Sequence, residues 1–429
     1  MLPLSKHNMK IGFYFECNMK SGGVYQYAVN MLAAFKENKK HDYIIFTLSP
    51  DFPFEDFKDS NWKIVPIGFK RIKNSEEGKS VNEEKSVAPT FRRKINLLII
   101  NLLRALRLYR VEIFLARLNS KKRALNFEGH GIDLMVYHGP SEMSYLSNIP
   151  SLVVVHELQH RFNRQFPEVW SLGQWEKREY LYKNVAKKAT IVIVEIDQNK
   201  REFCEIYGRD ENTVEVIRCA PPIYLTKNVS EEKKKEVALK HSLPPGFLFY
   251  PAQFWPHKNH RNLIEAVKIL RDKGEIFHLV LPGSKQELWG EYEKVLQKIK
   301  DLKIENQIHL IGYADNDEMS ALFALCSAMI IPSFMGRIQT PTIEAWFMDK
   351  PVLQSNVPGI LDEVFDAALL FDPSNPEDIA EKIHSFSKDE NLQKQLVLNG
   401  KKVLERWSFS NLSNKLNACI DRFDKKSAR

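Results

Sequence analysis

Cysteine is sparse. There are five, Cys17, Cys204, Cys219, Cys326 and Cys419, in 429 residues. An odd number at scattered spacing argues against a disulfide framework or a cysteine metal knuckle and points to a reducing compartment. Long hydrophobic runs are missing too. The longest, INLLIINLL over 95–103, holds two asparagines and falls far short of the roughly 20 apolar residues that a spanning helix needs. The opening MLPLSKHNMK lacks the apolar core of a secretory signal, and residues before Met9 read as a dispensable leader. Acidic residues are absent from 91–110. No basic–aromatic pattern at nucleic-acid spacing accompanies the net charge of +8, so that charge suits a nucleotide or a phospholipid surface better than DNA or RNA.

What is present is a chain too long for one ordinary core, so two domains are expected. Apolar runs at 10–16, 42–49, 62–67, 132–137, 151–155, 189–194 and 214–222 read as strands, separated by helical patterns. A second series begins at 247–250 and continues at 277–282, 308–313 and 328–332 and from Val352. Strand–helix alternation implies parallel sheets. The breaker SLPPG at 242–246 places the domain boundary in the region before it. Residues 70–90 are polar and read as a mobile insertion. Phe91 to Arg110 reads as a basic amphipathic helix, with Ile95, Leu98, Ile99, Leu102, Leu106 and Tyr109 on one face and Arg104, Arg107 and Arg110 among its charges. Two readings compete for it. It packs on the first sheet, which its apolar content favours, or it lies on an anionic membrane surface.

The stretch 331–356, IPSFMGRIQTPTIEAWFMDKPVLQSN, carries the densest chemistry. A strand end, a turn with one glycine and a helix opening just after Pro341 follow one another. In open α/β sheets ligands bind at such strand ends, and the helix start offers N–H groups to an anion. Glu344 is expected in the first helical turn, where it either accepts hydrogen bonds from sugar hydroxyls or merely complements the helix dipole. Lys258 follows another strand end, in PAQFWPHKNHRN, where an ammonium can meet a diphosphate. A surface lysine is the plainer alternative. Gly22 and Gly23 form a strand–turn–helix junction that lets backbone N–H groups approach a phosphate or sugar, though Gly-Gly is also an ordinary turn. His156, Glu157, Gln159 and His160 end the SLVVV strand. Two histidines and a glutamate there favour a site, and three metal ligands of suitable geometry are not evident.

Four blocks, SGGVYQYA (21–28), VHELQH (155–160), PAQFWPHKNHRNLIEA (251–266) and 331–373, together resemble the retaining glycosyltransferases of family 4. The resemblance implies a GT-B fold, α/β, with two Rossmann-like domains whose parallel sheets face a central cleft. It implies residues 1–222 as an acceptor domain with an insertion at 70–127 and 223–408 as a donor domain. A C-terminal helix, 409–429, would cross back to the first. It implies a UDP- or GDP-hexose donor, a glycan or lipid-linked acceptor, no metal, and a cytoplasmic enzyme at the inner membrane face. Glu344 would bind the ribose, Lys258 the diphosphate, and backbone at Thr340, Pro341 and Thr342 the phosphate. His156 would hydrogen-bond the transferred sugar, and Gly22 and Gly23 would approach the donor or acceptor. Front-face attack would need no protein nucleophile, unlike retaining glycosidases with their paired carboxylates. Two positions depart from the family pattern. Gln253 replaces the usual arginine, and Gly336 replaces the first of two glutamates, so a second cation would have to come from Arg337, Arg218 or the loop itself. A sugar-nucleotide epimerase and a non-catalytic binding subunit of the same fold are the rival readings.

Overall fold

Continuous apolar runs build two open parallel sheets. The computed structural model describes residues 8–19, 22–48, 52–57, 62–67, 99–100, 102–104, 106–285, 288–336, 339–360 and 362–427. The chain divides into two units, one of Met1–Arg161, Trp170–Ile217 and Leu416–Arg429, the other of Phe162–Val169 and Arg218–Lys415. The division after Ile217 falls five residues before the expected one at 222. The short segment 162–169 belongs with the second unit although its neighbours in sequence belong with the first.

In the first unit β1 (Lys10–Phe15), β2 (Asp42–Thr47), β3 (Lys63–Pro66), β4 (Leu134–Tyr137), β5 (Ser151–Val154), β6 (Ile191–Val194) and β7 (Val214–Val216) lie in the order β3-β2-β1-β4-β5-β6-β7. Every neighbouring pair is parallel. Strands covered on both faces need no polar alternation, which is why LMVY and SLVV are buried throughout. Strand order reverses between β1 and β4, the place where such sheets open a crevice at their carboxyl ends. Helix α1 (Gly23–Glu37) follows β1.

The second unit repeats the plan. Strands β8 (Leu248–Phe249), β9 (Leu279–Pro282), β10 (Ile308–Gly312), β11 (Ala328–Ile331), β12 (Val352–Ser355) and β13 (Leu369–Phe371) lie in the order β10-β9-β8-β11-β12-β13, again all parallel. The reversal falls between β8 and β11. Trp346 is fully buried and its indole N–H donates to the Ala367 carbonyl at 3.0 Å.

The expected helix over 91–110 is corrected in its described part; 91–98, like the whole polar insertion 70–90, lies outside the described residues. The chain leaves the helix at Arg107, in left-handed conformation with φ 54°. Leu108 N–H donates to the Leu103 carbonyl and Arg107 N–H to that of Arg104. This 6→1 and 5→2 pair is a Schellman stop, formed here without glycine. A new helix, α2, runs Tyr109–Glu128. The preference for packing of the 91–110 face is also corrected: Ile99, Leu102 (59 % accessible) and Leu106 face outward. Arg104 is held by the buried Glu112 carboxylate, which also takes Lys177 of α3 (Gln174–Lys188).

Helix α4 (Thr340–Phe347) starts one residue before Pro341, with Gln339 as its extended N-cap. Proline is tolerated there because its missing N–H has no intrahelical partner in any case. Glu344 therefore occupies the second turn rather than the first, and the first turn holds no acid. The last helix, α5 (Phe409–Ser427), reaches the first unit from Leu416 onward, where Asn38 donates to Asn417 at 2.9 Å and Asp421 takes Lys40 and His41.

Candidate functional site

Each sheet presents polar side chains at its carboxyl edge. In the second unit the loop after β8 turns through the short 3-10 turn Pro256–Lys258 and a left-handed Asn259, whose amide donates to the Pro332 and Pro373 carbonyls. These bonds fix Lys258 beside the loop that leaves β11. Its ammonium donates to Gln339 Oε1 at 3.1 Å. The partner is neutral, and burial lowers the lysine to about 8 despite the opposing charge of Glu168. The site thus holds a cation without a direct carboxylate partner among the described residues, ready for an anion.

Gly336 explains how Gln339 reaches the lysine. Its φ is 108°, a region that side chains rarely adopt, and a Cβ there would lie 2.8 Å from Gln339 Cγ. The departure from glutamate at this position makes room for the amide that holds Lys258. Gly336→Ala is expected to cost about 1–3 kcal/mol of backbone strain and to lower turnover. Denaturant melts and rate measurements check this, and wild-type behaviour in both would contradict it.

Glu344 is 6 % accessible, and its carboxylate makes no hydrogen bond or ion pair among the described residues. Burial alone raises its carboxyl to about 7. An unpaired, buried carboxylate is costly, and a ligand donating two hydroxyls would relieve it. The neighbouring groups are more committed than the sequence suggests. Thr342 donates its hydroxyl to Gln354 at 2.7 Å and its N–H to the Gln339 carbonyl, while Pro341 has no N–H. Of the three expected phosphate-cradling groups, Thr340 keeps its N–H available among the described residues. Gln253 accepts from Ser284 N–H at 3.1 Å. That loop contact depends on Gly283, where a Cβ would meet the Ala252 carbonyl at 2.7 Å. Arg218 lies over the Trp407 ring at 5.0 Å. Arg337 lies outside the described residues.

In the first unit, polar contacts cross four strand ends. Glu16 N–H, after β1, donates to His138 Nε2 at 3.5 Å, after β4. His156, after β5, donates through Nε2 to the His138 carbonyl and through Nδ1 to Glu195 Oε1 after β6, both at 2.8 Å. Both partners only accept, so both ring nitrogens carry hydrogen and His156 is an imidazolium in this arrangement. Burial opposes that charge, but the Glu195 hydrogen bond and charge outweigh it and hold the pKa above its ordinary value. His138, buried between Phe13 and Phe15, is pushed down to about 3 by burial and by the His156 charge. Gly22 takes φ 57° just before α1, and Tyr27 of that helix meets the His156 ring edge-on at 5.0 Å. The VHELQH block itself splits. Glu157 pairs with Arg178, and the fully buried His160 donates to Glu179, which also takes Arg161 and Tyr207. That network is internal packing.

Gln339, Glu168, His138 and Glu195 were not singled out from sequence. His138 and Glu195 carried a readable signal, since each is the first residue after a buried apolar run. Glu168 and Gln339 carried none.

Two parallel sheets, each with a polar carboxyl edge at its reversal of strand order, define the GT-B class of two Rossmann-like units. Residues 231–403, within the second unit, match the family described as glycosyl transferases, group 1. An uncharacterized glycosyltransferase of Methanocaldococcus jannaschii is 29% identical over 168 residues, 38% of this chain and 44% of the relative. The Escherichia coli O-antigen chain mannosyltransferase B is 26% identical over 167 residues, 39% of this chain and 43% of the relative. The matched stretch thus spans less than half the length of either relative. Among solved structures, a glycosyltransferase from Rickettsia africae superposes with TM-score 0.68 at 18% identity, covering 98% of this chain and 99% of that one. Anabaena HepE in complex with UDP-glucose gives 0.66 at 14% identity, covering 97% and 100%. At these identities the likeness concerns the fold.

Proposed function

We propose that this protein is a retaining glycosyltransferase that moves a hexose from a UDP- or GDP-sugar to a glycan or lipid-linked acceptor, without a metal, in surface polysaccharide assembly. The observation that carries the reading is the pair in the group 1 domain: a buried carboxylate without a side-chain partner among the described residues, Glu344, and a half-buried ammonium held by a neutral amide, Lys258. Glu344 accepts from the ribose hydroxyls. Lys258 balances the leaving diphosphate, helped by Thr340 N–H at the helix start. The acceptor hydroxyl attacks from the face that the phosphate leaves, and the phosphate takes its proton. In the first unit His156 supplies a fixed positive charge and the Gly22–Gly23 turn an uncovered backbone. Mannosyl donors come first in order of trial, because curated relatives include O-antigen mannosyltransferases of Escherichia coli and Salmonella typhimurium. The test is release of free nucleotide from a panel of UDP- and GDP-hexoses that depends on a glycan acceptor, with the product anomer read by NMR. An α product from an α donor is expected; acceptor-independent consumption of the donor would favour the epimerase.

The reading includes peripheral attachment to an anionic inner membrane face. No helix among the described residues is long and apolar enough to cross a membrane. Support comes from α2, where Val111, Phe114, Leu115 and Leu118 fall on one stripe at helical spacing, all exposed, Phe114 by 56 %. Exposed Arg110, Arg117 and Lys121 flank it, each worth about 1 kcal/mol near anionic lipid. Arg104 is unsuitable for a test because it holds Glu112. Replacing Arg107, Arg110 and Arg117 with serine should cut binding to phosphatidylglycerol vesicles at least about tenfold. Unchanged co-sedimentation would sink the attachment.

A further inference from the structure

The segment Phe162–Val169 packs with the second unit and touches the lysine loop directly. Glu168, in the helical turn Pro167–Trp170, places Oε1 against two donors of one residue: His257 backbone N–H at 2.9 Å and His257 Nδ1 in a very short contact. The His257 carbonyl in turn accepts from Phe334 N–H at 2.8 Å and Ser333 Oγ at 3.2 Å, in the loop leaving β11. Phe166 stacks on Phe334 with ring centroids 5.6 Å apart and meets the His257 ring at 6.2 Å. The strap therefore ties together the two loops that carry Lys258 and Gln339. Glu168 is 8 % accessible, and its second oxygen, Oε2, is buried without a hydrogen-bond partner. So large a desolvation cost for packing alone is unusual, since an apolar residue would fill the place more cheaply.

We propose that Glu168 is the positioning residue of the donor site: it fixes the His257–Lys258 turn and keeps the Lys258 ammonium charged where the donor diphosphate binds. This rests on the donor-site reading of Lys258. The charged and titratable groups around that ammonium are few. His260 is fully buried and pushed down to about 3, first by burial and then by Lys258 and His257, so it is neutral. His257 is spent on Glu168. Gln339 is neutral. Among the described residues, Glu168 is the carboxylate whose charge acts on Lys258. Burial opposes its ionisation, but the His257 side-chain and backbone hydrogen bonds outweigh burial and hold it below the usual carboxylate range.

Glu168→Gln tests this, because the amide oxygen can still accept from both His257 donors while the charge is lost. Acceptor-dependent nucleotide release is followed across pH for wild type, Glu168→Gln and Lys258→Ala, with thermal melts of each. The expected result is a normal melt and an alkaline limb of kcat/KM, near pH 8 in wild type, displaced by about one pH unit downward in Glu168→Gln. At pH 7.5 its kcat/KM should fall several-fold. An unmoved limb beside an inactive Lys258→Ala would overturn the role of Glu168 while leaving the donor site standing. Wild-type rates in Lys258→Ala would overturn both. Should Glu168→Gln melt early, Glu168→Asp, which keeps the charge, must retain the wild-type limb; a displaced limb there also contradicts the assignment.

Discussion

Lys258→Ala is expected to lower turnover about 10²–10³-fold, the usual scale for losing one charge-stabilising donor at the departing oxygen. The KM for the acceptor should change little. The expectation follows from what surrounds the side chain. Its direct partner is the Gln339 amide, so no carboxylate has to be displaced when a diphosphate arrives. The family's second cation is replaced by Gln253, which is spent on Ser284 N–H. The charge on Lys258 then carries a larger share than in a site with two cations. Burial, opposed by Glu168, leaves its pKa at about 8, so free enzyme loses the ammonium as pH rises through 8. The profile of kcat/KM, which reports free-enzyme groups, should fall there. Bound diphosphate stabilises the ammonium, so the limb in kcat should lie at higher pH. Turnover equal to wild type in the alanine variant would remove Lys258 from the mechanism.

Glu344→Gln should separate stability from function. The wild-type carboxyl, raised to about 7 by burial, releases its proton at lower pH in the unfolded chain than in the folded one. Above pH 7 the folded state holds an unpaired charge, and the unfolded state holds the same charge in water. The penalty is present in full at alkaline pH and vanishes as pH falls below the unfolded value. From 4.5 to about 7 it amounts to roughly 3 kcal/mol. Without ligand, the glutamine variant should therefore melt higher than wild type at pH 8.5, with the difference gone at pH 4.5. Its affinity for nucleotide should nevertheless drop about 100-fold, since two hydroxyl-to-carboxylate bonds of roughly 1.5 kcal/mol each are weakened. For the same reason wild-type kcat/KM should rise with pH through 7, giving with Lys258 a narrow bell centred near 7.5. Normal nucleotide affinity in the glutamine variant would place the ribose elsewhere.

Most of the fold was legible because doubly covered parallel strands are written as unbroken apolar runs. LMVY, SLVV and IVIV announce themselves, and the polar residue closing each run marks the edge where chemistry collects. Legibility failed where the deciding interaction joins distant residues. The Lys258–Gln339 bond spans 81 positions, and Gly336 looks like a missing glutamate until the side chain passing over it is seen. Glu168 meets His257 across 89 positions from a four-residue turn with no pattern of its own. Local signals failed in two places. Arg107 ends a helix in a conformation that usually belongs to glycine, and Thr340, rather than the residue after Pro341, opens α4. Each shift is small in sequence. The second moves Glu344 from the dipole-facing first turn to a buried position in the second, where burial rather than the dipole sets its charge.

The most direct measurement is a thermal-shift comparison of wild type and Glu344→Gln at pH 7.5 against UDP, GDP, CMP and their sugar conjugates. A ligand at 100 times its dissociation constant stabilises the folded state by about 2.7 kcal/mol, roughly 5–10 °C for a domain of this size. One nucleotide series should shift wild type by that amount and leave the variant nearly unmoved. No shift from any nucleotide in folded wild type, or the same shift in both proteins, would contradict a donor site built on Glu344 and Lys258.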